Sequence, residues 1–240
     1  MTRAVVLAAG DGGRLAEQTA EIPKPLVQLD GRALIDFTIE ALVSAGVDDV
    51  VVVVGYRAGQ LRSALTERAH PGVRLRFVTN PRYHAGASLS LRAARPLTTN
   101  EPFLLLMADH LLSAPILRRL AVTPREPGVS LIATDASAWP EAYNDEATRV
   151  VIDPGSRRVT AIGKGLHPWD ALDTGAFLLA PSAWEAVDAA PEDCELSVIF
   201  SELARRGQLQ SVDVSGATWY DIDTPEDLAA AHRVFAGGAR

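Results

Sequence analysis

The segment GDGGR at positions 10–14 follows an apolar run at 4–9 and precedes PKPL at 23–26, an order of residue types suited to holding phosphate. Glycine reaches positive φ at little steric penalty and has no side chain to block approach, so such a loop can aim backbone N–H groups at an anion. Arg14 and Lys24 add fixed positive charge. Lys24 is conspicuous because it and Lys164 are the chain's two lysines among 23 basic residues, in a sequence that otherwise uses arginine. Taken alone, GDGGR also fits a plain βα turn, and PKPL a loop whose path the prolines fix.

Two commoner phosphate motifs do not fit. A dinucleotide fingerprint needs a third glycine where Leu15 stands, and an acidic residue after the second strand, where Val54 and Gly55 stand. A P-loop needs glycine, lysine and then serine or threonine in succession, whereas Lys24 lies between Pro23 and Pro25.

LLLMAD at 104–109 delivers Asp109 to the end of an apolar strand. Asp221 and Asp223 fall in a loop before a helix opened by Thr224 and Pro225, a good cap and first-turn pair. Magnesium takes one or two carboxylates together with water and substrate phosphates, so Asp109 with Asp221 or Asp223 suffices. Structural readings compete: Asp109 capping a helix near Ser113 or pairing with an arginine, and Asp221 and Asp223 complementing a helix dipole. His110 reads as a residue that orients a neighbour or packs rather than as a ligand.

These residues need a scaffold that brings strand ends together. Apolar runs predict strands near 3–9, 49–55, 73–79 and 103–108, alternating with helix-period segments near 33–45, 57–69, 86–95 and 114–121. That alternation predicts a parallel α/β sheet covered on both faces, with ligands beyond the carboxyl ends of its strands. A strand near 129–134 follows, then a hairpin near 148–152 and 158–162 around the turn at 153–155. Strands near 173–180 and 209–214 and helices near 182–189, 195–206 and 225–236 complete the pattern. One domain is expected: a nucleotide-binding core at 1–135, an accessory acceptor-side region at 136–175 and a return to the core at 176–240.

The 240 residues are 48% apolar, enough for a substantial core. Net charge is −7 and the cations are interspersed with acids, which argues against a nucleic-acid or membrane surface. The single cysteine, Cys194, excludes an internal disulfide and a thiolate zinc cluster. No apolar run reaches the roughly eighteen residues of a membrane span, and 1–9 is too short for a signal peptide. A cytoplasmic location is expected, and a homodimer is compatible with the sequence.

With LAAGDGGRL, PKPL, MADHLLSAPIL (107–117), IGKGL (162–166), DTGAFLL (173–179) and DIDTPED (221–227) in this order, nearly the whole chain resembles the nucleotidyltransferases that join a nucleoside triphosphate to a phosphorylated small molecule. Among their branches it is most similar to inositol-1-phosphate cytidylyltransferases. The resemblance implies a Rossmann-like three-layer α/β/α fold, CTP and a phosphorylated acceptor as substrates, Mg2+ as cofactor and no membrane insertion. It implies that Ala8, Ala9, Gly10, Gly12, Gly13 and Arg14 cradle the triphosphate, that Lys24 meets the phosphates at the reacting centre, and that Asp109, Asp223 and Asp221 hold magnesium. Lys164 falls where relatives place a lysine on the acceptor phosphate, Asp173, Thr174 and Gly175 where they line the acceptor pocket, and Gly86, Ala87 and Ser88 where a loop faces the base. Gly13 departs from the pattern, since relatives carry threonine or serine directly before the arginine.

A polyol phosphate acceptor could bond to Asp170, Asp173, Thr174 and Asn144. A phosphocholine acceptor would instead use the faces of Trp139, Tyr143, Trp169, Trp219 and Tyr220, whose alternative role is core packing. Phosphonate and sugar phosphate acceptors stay open, as does a non-catalytic nucleotide-sensing domain on the same fold.

Overall fold

Five consecutive valines at 50–54 cannot alternate between core and solvent, and the strand they form is buried on both faces. The computed structural model describes residues 3–15, 21–68, 70–98, 101–137, 139 and 147–236. Its strands are β1 (Arg3–Ala8), β2 (Gln28–Leu29), β3 (Arg32–Ala33), β4 (Asp49–Val54), β5 (Arg74–Thr79), β6 (Phe103–Met107) and β7 (His110–Leu112). There follow β8 (Ser130–Asp135), β9 (Arg149–Ile152), β10 (Val159–Gly163), β11 (Ala171–Leu179), β12 (Leu209–Asp213) and β13 (Trp219–Asp221). The helices among the described residues are α1 (Leu34–Ser44), α2 (Ala58–Glu67), α3 (Ala87–Ala94), α4 (Ala114–Val122), α5 (Ala183–Ala189), α6 (Leu196–Arg205) and α7 (Pro225–Ala236).

The main sheet runs β5-β4-β1-β6-β11, parallel up to β6 and antiparallel at β11. One side of β11 carries β8, which pairs parallel with β12; its first residues also pair with β9 of the β9–β10 hairpin. Side chains alternate across the strands, and the core divides accordingly. Val6, Val52 and Leu106 pack with α1, α2 and α4, while Val5, Val53 and Leu105 pack with α3, α5 and α6. The sheet is therefore sandwiched between helices, as the alternating pattern requires, and Phe177 stacks on Phe200 with ring centroids 3.9 Å apart.

The chain leaves β1, fills the β4 and β5 positions, then crosses back to β6 on the other flank of β1. The carboxyl ends of β1 and β6 thus frame a switch point, where a crevice must open. One expectation is corrected here. Asp221 does not stand in a loop: it ends β13, which pairs antiparallel with β7 and sets Asp221 opposite His110.

Candidate active site

Lys24 occupies a single 3-10 turn, Lys24–Leu26, whose preceding Pro23 is extended and whose Pro25 restricts the turn itself. The turn is buried, so the lysine stem lies in the protein and its ammonium meets two carboxylates. Lys24 Nζ lies 2.9 Å from Asp109 Oδ2 and 2.8 Å from Asp223 Oδ1. Burial opposes the charged lysine, but Asp109 and Asp223 outweigh it and hold its pKa above the ordinary value. Asp109 responds in kind: burial disfavours the carboxylate, yet Lys24 and His110 keep it far below the usual range. Among the described side chains Asp109 makes neither the helix cap nor the arginine pair that the sequence left open.

His110, next in the chain, turns its Nδ1 toward Asp109 Oδ1 at 3.0 Å and toward Asp221 Oδ1 at 3.5 Å. Burial alone would lower its pKa, but Asp221 and Asp109 raise it to about 9, so the ring is a cation at neutral pH. Its place depends on Gly175, where β11 shifts register against β8 and φ is +78°. A Cβ at 175 would stand 2.3 Å from His110 Cδ2. Asp173 accepts a bond from the Gly175 N–H at 2.8 Å, and burial pushes its pKa up to about 6. Burial also raises Asp221 to about 6, with Asp109 and Asp223 adding repulsion.

Among the described side chains four carboxylates thus face two cations, and Asp221 Oδ1 is buried without a hydrogen-bond partner. Ligand atoms of Asp109, His110 and Asp221 lie within 4.8 Å of one another, so the group can hold a metal ion. The imidazolium supplies no lone pair while protonated, which leaves an oxygen donor set of the kind hard divalent cations prefer.

Two clefts adjoin at this cluster. One, of about 500 Å3, is walled by Gly10, Gly12, Gly13, Lys24 and Asp109. The other, of about 850 Å3, is walled by His110, Lys164, Asp173, Gly175 and Tyr220. Asp223 and Glu195 border both.

The remaining sequence candidates fall as follows. Ala8 borders the smaller cleft, whereas Ala9 packs beneath Gly55 and its carbonyl accepts the Tyr56 N–H. Gly12 takes a positive φ of 69°, and Gly13 bonds to Asp11 Oδ1 at 3.2 Å. Arg14 has its backbone in the turn Gly13–Leu15; its side chain lies outside the described structure. Ala87 faces the larger cleft. Ser88 is fully buried, its hydroxyl donating to Glu192 O at 2.7 Å and accepting from Cys194 N at 3.0 Å. Gly86 is pressed against the Cys194 carbonyl, which a Cβ would meet at 2.9 Å. Thr174 points away from the cleft and donates to Ala133 O at 3.0 Å. Asp170 accepts the Ile152 N–H at 2.7 Å. Tyr143 and Asn144 lie outside the described residues. Glu195 was not foreseen, because an acidic residue opening a helix reads as dipole chemistry.

Glycine loop, buried lysine and carboxylate cluster at the switch point of a mostly parallel sheet define the class of α/β nucleotidyltransferases. The chain belongs to the family described as the MobA-like NTP transferase domain, whose match covers residues 4–141. It is 36% identical over 242 residues to the bifunctional IPC transferase and DIPP synthase of Rubrobacter xylanophilus, covering 98% of this chain and 52% of that protein. With the Aquifex aeolicus protein of the same name it shares 34% over 233 residues, 96% of this chain and 51% of that one. The chain therefore spans about half the length of these relatives. Among solved structures it superposes on the inositol-1-phosphate CTP transferase from T. maritima with a TM-score of 0.85 at 25% identity, covering 98% and 95% of the two chains.

Proposed function

We propose that the chain transfers a cytidylyl group from CTP to inositol 1-phosphate or a similar polyol phosphate, releasing pyrophosphate. The observation that carries this reading is the pair of adjoining clefts, each holding one of the chain's two lysines, with Asp223 on their common border. The likeness to the T. maritima enzyme supports the choice of base and acceptor.

In this reading Gly10, Gly12, Gly13 and Arg14 hold the triphosphate in the smaller cleft, with Gly86, Ala87 and Ser88 on the base side. Lys164, Asp173 and Gly175 border the acceptor; Thr174 supports the strand beneath them. An acceptor phosphate oxygen attacks the α-phosphorus in line, the bond to the β-phosphate oxygen breaks, and pyrophosphate leaves with the electron pair. No protein nucleophile is required, so positioning and charge stabilisation do the work. Lys24, already fixed by two carboxylates, presents its ammonium to the charge that builds on the α-phosphoryl oxygens. Lys164 offsets repulsion between two anionic reactants. Magnesium held by Asp109, Asp221 and Asp223 would neutralise phosphate oxygens as a Lewis acid. His110, facing Asp109 and Asp221, holds these carboxylates in place.

Among the described residues no helix is long and apolar enough to cross a membrane, and the proposed reaction with a lone cysteine suits the cytoplasm. The test is pyrophosphate release with each nucleoside triphosphate against inositol 1-phosphate, phosphocholine, a phosphonate and glucose 1-phosphate. CTP with inositol 1-phosphate should be fastest. Triphosphate binding without release on any acceptor would instead identify a sensor.

A further inference from the structure

Asp135 ends β8 and is 2% exposed, an unusual setting for a carboxylate away from the clefts. Among the described residues Ser137, Trp139 and Trp219 donate to it, Ser137 through both its N–H and its hydroxyl. The Ser137 N–H reaches Oδ1 at 2.8 Å, and the indole N–H groups of Trp139 and Trp219 reach Oδ2 at 3.0 and 2.8 Å. The two indole rings lie 4.8 Å apart, and Trp139 also sits 6.2 Å from the Tyr220 ring.

These donors come from different parts of the chain. Trp139 belongs to the accessory region, while Trp219 opens β13, which ends in Asp221 and runs on to Asp223. The approach to β13 is tied to the same strand end: Val214 N–H bonds to Thr134 O at 2.9 Å, and Ala136 N–H to Ser215 Oγ at 2.9 Å. An apolar residue at 135 would leave two indole donors without their acceptor.

We propose that Asp135 is a positioning residue whose carboxylate couples the accessory region at Trp139 to β13, and so fixes where Asp221 and Asp223 stand against the bound phosphates. The kinetic part of this inference rests on the nucleotidyl-transfer reading. Acceptor-side contacts and the carboxylate cluster then share one buried joint, whose Trp219 also lines the larger cleft.

Two variants of the full chain test it. Asp135→Asn keeps the size but turns half of the acceptor into a donor facing N–H groups, and Trp139→Phe keeps an aromatic ring while removing the indole N–H. In hydrogen-exchange mass spectrometry, peptides covering 110–112 and 219–223 should exchange about tenfold faster in both variants, with β1 and β6 unchanged. In steady-state kinetics kcat should fall about tenfold while KM for either substrate changes less than about threefold. Faster exchange confined to 136–147, with kcat per folded molecule unchanged, would overturn the proposal. If Asp135→Asn does not fold, Trp139→Phe decides alone. If the unmodified protein releases no pyrophosphate with any acceptor, the functional reading fails and the exchange pattern still decides the coupling.

Discussion

Lys24 and Asp223, 199 positions apart, meet at 2.8 Å, and the same ammonium reaches Asp109 at 2.9 Å. The contact joins the loop after β1 to the segment after β13 and places a fixed cation on the wall of the smaller cleft. Lys24→Ala removes that cation and leaves two carboxylates facing one another. Turnover should fall by about two orders of magnitude or more, the scale of a lost preorganised contact. Pyrophosphate release under saturating substrates measures it, and near-normal turnover would remove Lys24 from the mechanism.

Lys164 lies in the other cleft and is exposed. Lys164→Ala should raise KM for the acceptor by about tenfold while leaving KM for CTP within about twofold. Equal effects on both constants would mean that the two clefts do not divide the substrates.

Gly175→Ala places a Cβ 2.3 Å from the His110 ring at a backbone φ of +78°. Strain and displacement together should destabilise the protein by about 1–3 kcal/mol. Activity should drop as well, because His110 holds Asp109 and Asp221. Thermal unfolding and turnover of the folded protein separate the two effects.

Away from the clefts, buried Asp49 at the start of β4 accepts bonds from Arg3 at 2.8 Å and from Arg76 at 2.6 and 3.0 Å. Burial opposes its charge, but the two arginines hold its pKa below the ordinary value. A depressed carboxylate pKa contributes stability above the unfolded-state pKa, and that contribution is lost as pH falls through the folded-state value. Asp49→Asn should therefore destabilise the protein at neutral pH by about 2 kcal/mol. The gap should narrow in acid, below the unfolded carboxylate value. Urea unfolding across the acid range checks the sign.

The parts of this architecture that repeat were readable in the residues. Valines at 50–54 announced a central strand, and a lysine between prolines stood out in a chain whose basic residues are otherwise arginine but for Lys164. The ribbon of β7 and β13 was not readable, because three residues on each side carry no periodicity, and with it went the pairing of Asp221 with His110. Strand alternation puts Thr174 on the face opposite Asp173 and Gly175, where its hydroxyl donates to Ala133 O. The Asp135 joint needs residues separated by 84 positions to meet, and no local pattern reports that. Glu195 borders both clefts beside Cys194, whose N–H donates to the Ser88 hydroxyl, a contact across 106 positions that no local pattern reports.

The central claim is that an oxygen of the acceptor phosphate attacks the α-phosphorus of CTP. Inositol 1-phosphate labelled with 18O in its phosphate, incubated with CTP, magnesium and the protein, tests it most directly by mass spectrometry of the products. The account predicts a CDP-alcohol carrying all the label, one atom of it in the bridge between the two phosphorus atoms, and unlabelled pyrophosphate. Label in pyrophosphate, or conversion of CTP to CMP with the acceptor untouched, would contradict it.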